Sequence, residues 1–202
     1  MPLWLAADPL LLASKSNARR MLLSAAGIPI ELRAAGIDER ELEKDAASRD
    51  PGAIAALLAR EKAATVERRC PGRLVLGADQ MLALGDQRFA KPADRTAARA
   101  QLHALSGRTH ELHSAVAIVH NANVVFEHVG VARLTMRAFS DRFLDAYLDA
   151  AGSAAAASVG SYQIEGLGIQ LFERVEGDYF TILGLPLVEI LDFLRRYGCL
   201  LR

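Results

Sequence analysis

The sequence has no run of about 18 uncharged apolar residues, the minimum for a membrane-spanning helix, so no membrane partner is expected. It holds only two cysteines, Cys70 and Cys199, and they form no CxxC motif, which excludes a disulfide framework and a thiol zinc site. Two unpaired thiols suit a reducing compartment. There is no charge of excess sign: 24 basic residues balance 24 acidic ones. A general nucleic-acid binder would be basic overall, and no basic stripe interleaved with aromatics is present. No GxxxxGK[ST] loop and no HExxH pair occurs. His110 and His113, three apart on a strand, would point to opposite faces and make a poor metal pair. The start, MPLWLAADPLLLASKS, lacks the basic region of a secretory signal, and the protein is expected to be cytoplasmic.

What is present reads as alternating strands and helices. LLLAS (10–14) is a short buried strand, and Ser16 is a suitable N-cap for a helix through Ala26 closed by Gly27. The segment 28–37 looks extended. Asp50-Pro51 is a cap and first-turn pair opening a helix to about Val66. RLVLGAD is a strand with Asp79 at its C-terminal end, followed by a hairpin with Gly85-Asp86 at its tip. A helix spans Arg95 to Leu105. Two long antiparallel strands then meet at the turn Asn121-Ala122-Asn123. A helix over 140–150, a glycine-punctuated stretch of short strands and a last helix opened by Pro186 complete the pattern. There are no internal repeats and no long linker, and 202 residues fit one domain or two small lobes sharing a site. The fold class expected is α/β with a mixed sheet.

Five segments carry candidate chemistry. In ASKSNARR a strand delivers the chain to a helix N-terminus, where Ser14, Ser16, Arg19 and Arg20 could hold phosphate oxygens; a plain serine cap with solvated arginines explains the same residues. Asp79 lies among apolar residues that argue for burial, and a buried carboxylate needs a partner; metal ligation, general-base work and backbone hydrogen bonding all meet that need. Asp38 and Glu39, Lys62, and Lys91 (held extended before Pro92) could join it, although each alone reads as a surface charge. Ser106-Gly107 is a turn from which Arg108 starts a long strand. In GSYQIEGLG the glycines allow close approach of a ligand, with Glu165 accepting from ring N–H groups and the aromatic Tyr162 near for stacking, or they simply form a turn.

Taken together, LLLASKSNARRMLL, AREKA, GADQ, FAKP, LSGRTHELHSAVA and GSYQIEGLGIQLFERVEGDYFTILGLPLVE resemble the Maf family of nucleotide pyrophosphatases over nearly the whole chain. The resemblance implies a single domain over residues 1–202 and an inosine-triphosphatase-like fold. That fold has an elongated mixed sheet flanked by helices and a cleft between two lobes, often in a homodimer. It implies hydrolysis of nucleoside triphosphates to the monophosphate and pyrophosphate with a divalent metal, Mg²⁺ or Mn²⁺. By the same resemblance Asp79 falls on the proton acceptor. Arg19 and Arg20 match the basic pair of the first loop, and Glu39, Lys62 and Lys91 match charged positions of the cleft. Three positions that distinguish subgroups are occupied by Ala18, Gln80 and Glu165. Gln80 and Glu165 resemble the subgroup acting on 7-methyl-GTP, whereas Ala18 departs from the bulky aromatic expected there. The alternatives are a dTTP/UTP pyrophosphatase and a nucleotide-binding regulator of cell division without turnover.

Overall fold

Leu10, Leu11 and Leu12 are wholly excluded from solvent. A strand buried on both faces must lie inside a sheet with layers on either side. In the computed structural model, which describes residues 3–202, these leucines form β1 (Leu10–Leu12). β1 pairs in parallel with β2 (Ile30–Leu32) on one side and β3 (Val75–Leu84) on the other. Parallel neighbours need crossover connections. They are supplied by α1 (Asn17–Ala25), and then by α2 (Glu39–Asp45) and α3 (Pro51–Arg69). β3 folds back at Gly85 onto the antiparallel β4 (Gln87–Phe89). After α4 (Arg95–Leu105), the strands β5 (Thr109–His120) and β6 (Asn123–Met136) are joined by Asn121 and Ala122, both at positive φ as a two-residue hairpin turn demands. α5 (Asp141–Ala151), α6 (Ala154–Ala157), β7 (Phe172–Glu176), α7 (Tyr179–Ile182) and α8 (Leu187–Arg196) follow. The strand order is β2-β1-β3-β5-β6-β7 with β4 beside β3, and β7 is antiparallel to β6. The α/β class with a mixed, helix-flanked sheet is borne out.

The chain divides into two compact units. One comprises the chain up to Gln80 with His113–Gly130 and Asp178–Arg202; the other comprises Met81–Leu112 and Val131–Gly177. In the first, alternate residues of the strands face two cores. Leu10, Leu12, Leu76 and Ala78 pack with Leu23 of α1 and with Ile190 and Leu194 of α8. Leu11, Ala13 and Val75 pack with Ala63 and Val66 of α3. Each buried leucine contributes about 2 kcal/mol. In the second unit α4 packs on α5 and on the tight turn at Val159–Ser161, and three exposed aspartates of α5 pair with Arg95 and Arg99.

Several elements differ from expectation. Only Ile30–Leu32 of segment 28–37 is a strand. α3 runs on to Arg69, past Val66. Pro186 occupies the N-cap of α8, one position before its first helical residue. β3 does not stop at Asp79 but continues to Leu84, so Asp79 and Gln80 sit in mid-strand. Cys70 and Cys199 are both free thiols. Among the described residues no helix is long and apolar enough to cross a membrane.

Candidate active site

The site in the first unit is set by a missing side chain. Successive β3 residues point to opposite faces, so Val75, Gly77 and Asp79 face α3. A Cβ on Gly77 would lie 2.0 Å from the Ala59 carbonyl oxygen and 2.8 Å from the Ala63 nitrogen. Only glycine lets the helix backbone approach this closely. The consequence is local: Lys62, beside Ala63, places its Nζ 2.6 Å from Asp79 Oδ1. The same ammonium lies 2.8 Å from Glu39 Oε1. Glu39 opens α2, whose N-cap Asp38 accepts from the backbone N–H groups of Arg40 and Glu41. Asp38 is therefore a cap, and Glu39 is the acid that joins the cluster.

Arg19 closes the other side. Ser16 caps α1 by accepting from the Arg19 backbone N–H. The Arg19 side chain reaches across to Ala78, donating from Nη1 to its carbonyl (2.7 Å) and to Ser14 Oγ (3.3 Å). Its Nε donates to the Gly184 carbonyl at 2.9 Å. Arg19, Lys62 and Asp79 are 9%, 8% and 7% exposed, so these are charges held inside the protein. Burial raises the Asp79 carboxyl above its ordinary value, against the pull of Lys62 and Arg19. Burial likewise lowers the Arg19 guanidinium, opposed by Asp79 and Glu39.

The structure thus brings together Ser14, Ser16, Arg19, Glu39, Lys62 and Asp79. Arg20 is exposed and Ala18 half-buried, both on α1. Gln80 faces the opposite side of β3 from Asp79. Its Nε2 donates to Ser114 Oγ (2.9 Å) and to the carbonyls of Ile182 (3.0 Å) and Thr181 (3.3 Å), while Ser114 Oγ donates to the Thr181 carbonyl at 2.7 Å. Gln80 fastens β3 to β5 and α7.

Lys91 and Glu165 belong to the second unit, and both are exposed. Lys91 follows Ala90, whose carbonyl accepts from Gln101 Nε2 at 2.7 Å. Glu165 sits in a turn where the Gln163 carbonyl accepts from the N–H groups of Gly166 and Gly168. Tyr162 does not offer a stacking face: it is buried against His110 and Phe172, and its hydroxyl is 2.7 Å from His110 Nε2. Burial lowers the His110 imidazole to about 4. Among the described residues no group of three or more His, Cys, Asp or Glu could hold a metal alone. Two hard oxygen donors, Glu39 and Asp79, remain, a pair of the type that suits Mg²⁺ or Mn²⁺ but too few to hold either alone. Sequence reading missed Gly77, whose place inside a buried strand was the available signal, and Ser114, a hydroxyl at the start of the apolar run of β5.

Residues 9–197 match the Maf-like protein family. The chain is 57% identical over 196 residues to a nucleoside triphosphate pyrophosphatase of Rhodopseudomonas palustris, covering 97% of each chain. It is 56% identical to one of Bradyrhizobium diazoefficiens (96% of each chain) and 53% identical to one of Paramagnetospirillum magneticum (93% of this chain, 98% of the relative). Among solved structures, a HAM1 protein from Coxiella burnetii aligns over 63% of this chain and 72% of its own, with 16% identity and a TM-score of 0.39, too slight a likeness to bear on function.

Proposed function

The chain belongs to the Maf family, and we propose that it is a nucleoside triphosphate pyrophosphatase that cleaves the α–β phosphate bond, with 7-methyl-GTP as substrate. The observation that carries this reading is the buried Asp79–Lys62 pair, flanked by Arg19 and Glu39. Removing such charges from water is costly, and a well-packed apolar pair of similar volume would be as stable. The cluster is explained by chemistry on a polyanion. Asp79 accepts a proton from water as the water oxygen bonds to the α-phosphorus, and the bond from that phosphorus to the bridging oxygen breaks to release pyrophosphate. Its raised pKa suits the task, because a stronger base takes the proton further, and such a base is worth about 10²–10⁴ in rate. Lys62 and the Nη2 edge of Arg19, which lies outside the bonds to Ala78, Ser14 and Gly184, supply donors to phosphate oxygens. Ser14, Ser16 and Arg20 extend that donor set, and Lys91 is assigned to a substrate phosphate on its family position alone.

The charges of the cluster cancel, Arg19 and Lys62 against Glu39 and Asp79. Binding a polyphosphate therefore calls for further positive charge. A divalent cation on the carboxylates of Glu39 and Asp79 would supply it and offset the charge developing on the phosphates. Base choice is assigned to Ala18, Gln80 and Glu165. Guanine presents N1–H and N2–H₂ as donors, and an exposed carboxylate at Glu165 is the matching acceptor. Gln80, whose amide nitrogen is committed to Ser114 and the end of α7, contributes through the position of that segment.

The test is pyrophosphate release from 7-methyl-GTP, GTP, dTTP and UTP with Mg²⁺ or Mn²⁺. Turnover highest on 7-methyl-GTP and lost in Asp79→Asn is expected. Preference for dTTP and UTP would overturn the base assignment, and no turnover of any triphosphate would overturn the activity.

A further inference from the structure

Lys91 and Glu165 lie 74 positions apart on exposed backbone of the second unit, and one half-buried side chain connects the segments that carry them. Gln101, on α4, donates from Nε2 to the carbonyl of Ala90, the residue before Lys91, at 2.7 Å. A carbonyl can only accept, so the amide is oriented by chemistry and its Oε1 faces the other way. There it accepts from Ser161 Oγ at 3.4 Å. Ser161 is wholly buried and is held at φ 64, a left-handed conformation that serine rarely adopts. Its carbonyl accepts from Tyr147 Oη at 3.1 Å. Gly160, just before it, is also left-handed, and a Cβ there would lie 2.6 Å from Leu82. The turn beyond is equally fixed, since a Cβ on Gly168 would lie 2.4 Å from the Gln163 carbonyl oxygen. The path from Ser161 to Glu165 is thus a short, rigid lever.

We propose that Gln101 and Ser161 are positioning residues, a bracket that sets Lys91 and Glu165 for the substrate. Neither side chain touches the substrate. Gln101 acts on Lys91 through the Ala90 carbonyl, and Ser161 acts on Glu165 through the four residues that follow it. The inference rests on the reading of Lys91 and Glu165 as substrate-contacting groups. A strained backbone at a buried serine with both its side chain and carbonyl engaged is the pattern by which folds hold functional segments in place.

The two arms of the bracket separate in a test. Gln101→Glu keeps the acceptor for Ser161 but loses the donor to Ala90. Ser161→Gly removes the hydroxyl while giving the left-handed φ to the residue that favours it, so the unfolding midpoint is held. Each is expected to lower kcat/KM by roughly ten- to a hundredfold, the scale of a small misplacement of a contact group. The Gln101→Glu loss should vanish in a Lys91→Ala background and persist in Glu165→Ala. The Ser161→Gly loss should vanish in Glu165→Ala, and in the single variant it should narrow the preference among triphosphate bases. Wild-type kcat/KM in both bracket variants, or losses that simply add in every background, would overturn the bracket alone. Wild-type kcat/KM in Lys91→Ala and Glu165→Ala would remove the groups it positions, and the inference falls with that reading.

Discussion

The separation between α3 and β3 is the dimension on which the proposed active site depends, and Gly77→Ala tests it. The added Cβ would sit 2.0 Å from the Ala59 carbonyl oxygen, where ordinary contact begins at 3.4 Å. Neither obstacle is a flexible side-chain tip, since both the Ala59 oxygen and the Ala63 nitrogen are helix backbone. To relieve the clash α3 must withdraw by about 1.4 Å, an overpacking change at the upper end of the ~1–3 kcal/mol range. If the Lys62 side chain keeps its conformation, its 2.6 Å bond to Asp79 opens to about 4 Å, beyond hydrogen bonding. Urea denaturation reads the first effect. With a slope near ~2 kcal/mol per molar, a loss of ~3 kcal/mol moves the midpoint down by about 1.5 M. Steady-state kinetics on the preferred triphosphate read the second, with kcat expected to fall about a hundredfold. Wild-type midpoint and wild-type kcat in Gly77→Ala would refute the reasoning, because Lys62 would then be seated by something other than the closeness of the helix.

Three further outcomes are expected. Asp79→Asn removes the base and abolishes pyrophosphate release while circular dichroism and the unfolding midpoint stay near wild type, since Lys62 retains Glu39 as a partner. Lys62→Met leaves Asp79 buried without its hydrogen-bonded counter-ion; stability at neutral pH falls by about 3 kcal/mol, and the acid limb of the pH–rate profile moves to higher pH because the proton on Asp79 is then harder to remove. His110, with no solvent exposure, has its pKa lowered from 6.5 to about 4, so the unfolded chain takes up a proton that the folded one refuses. The stability this contributes is present above about pH 6.5 and is lost as pH falls towards 4, ~3 kcal/mol in all. A urea midpoint that drops as steeply between pH 7.5 and 4.5 in His110→Phe as in wild type would show that His110 is not responsible.

Much of the frame is legible in the residues. Asp50-Pro51 marks the start of α3, Gly85-Asp86 marks the β3–β4 turn, and α4 spans the predicted residues. The helix α2 is not legible, because its sequence ERELEKD shows almost no apolar face; it stands on the Asp38 cap and on packing against α3. Asp79 looked like a strand end because a carboxylate ordinarily ends a buried run. It lies in mid-strand since the compensating ammonium arrives from α3, 17 residues earlier, and no local pattern encodes that meeting. Residue types at the site could be named in advance, as Arg19, Glu39, Lys62 and Asp79 were. Roles that depend on which face of a strand a side chain takes could not. Gln80 is next to Asp79 in sequence but on the opposite face, and Tyr162 is turned inward by His110.

The proposed role of Asp79 as base places two demands on its environment that pull in opposite directions. A carboxylate that accepts a proton from water must be ionised before the reaction, yet basic enough to hold the proton afterwards. Burial alone would satisfy only the second, by protonating the acid at neutral pH. A tight pairing with cations alone would satisfy only the first, since a carboxylate stabilised by two cations gives up basicity. Here Lys62 and Arg19 favour the charged form of Asp79 while burial is the larger influence on its pKa. Two features keep the cations from dominating. Lys62 divides its ammonium between Asp79 and Glu39, and Arg19 spends Nε and Nη1 on backbone carbonyls and Ser14. Glu39 also raises the Asp79 pKa directly by its own charge. On the proposed mechanism the second acid therefore serves the base by its own charge. Sharing the Lys62 ammonium leaves Asp79 the more basic carboxylate that the proposed mechanism asks for.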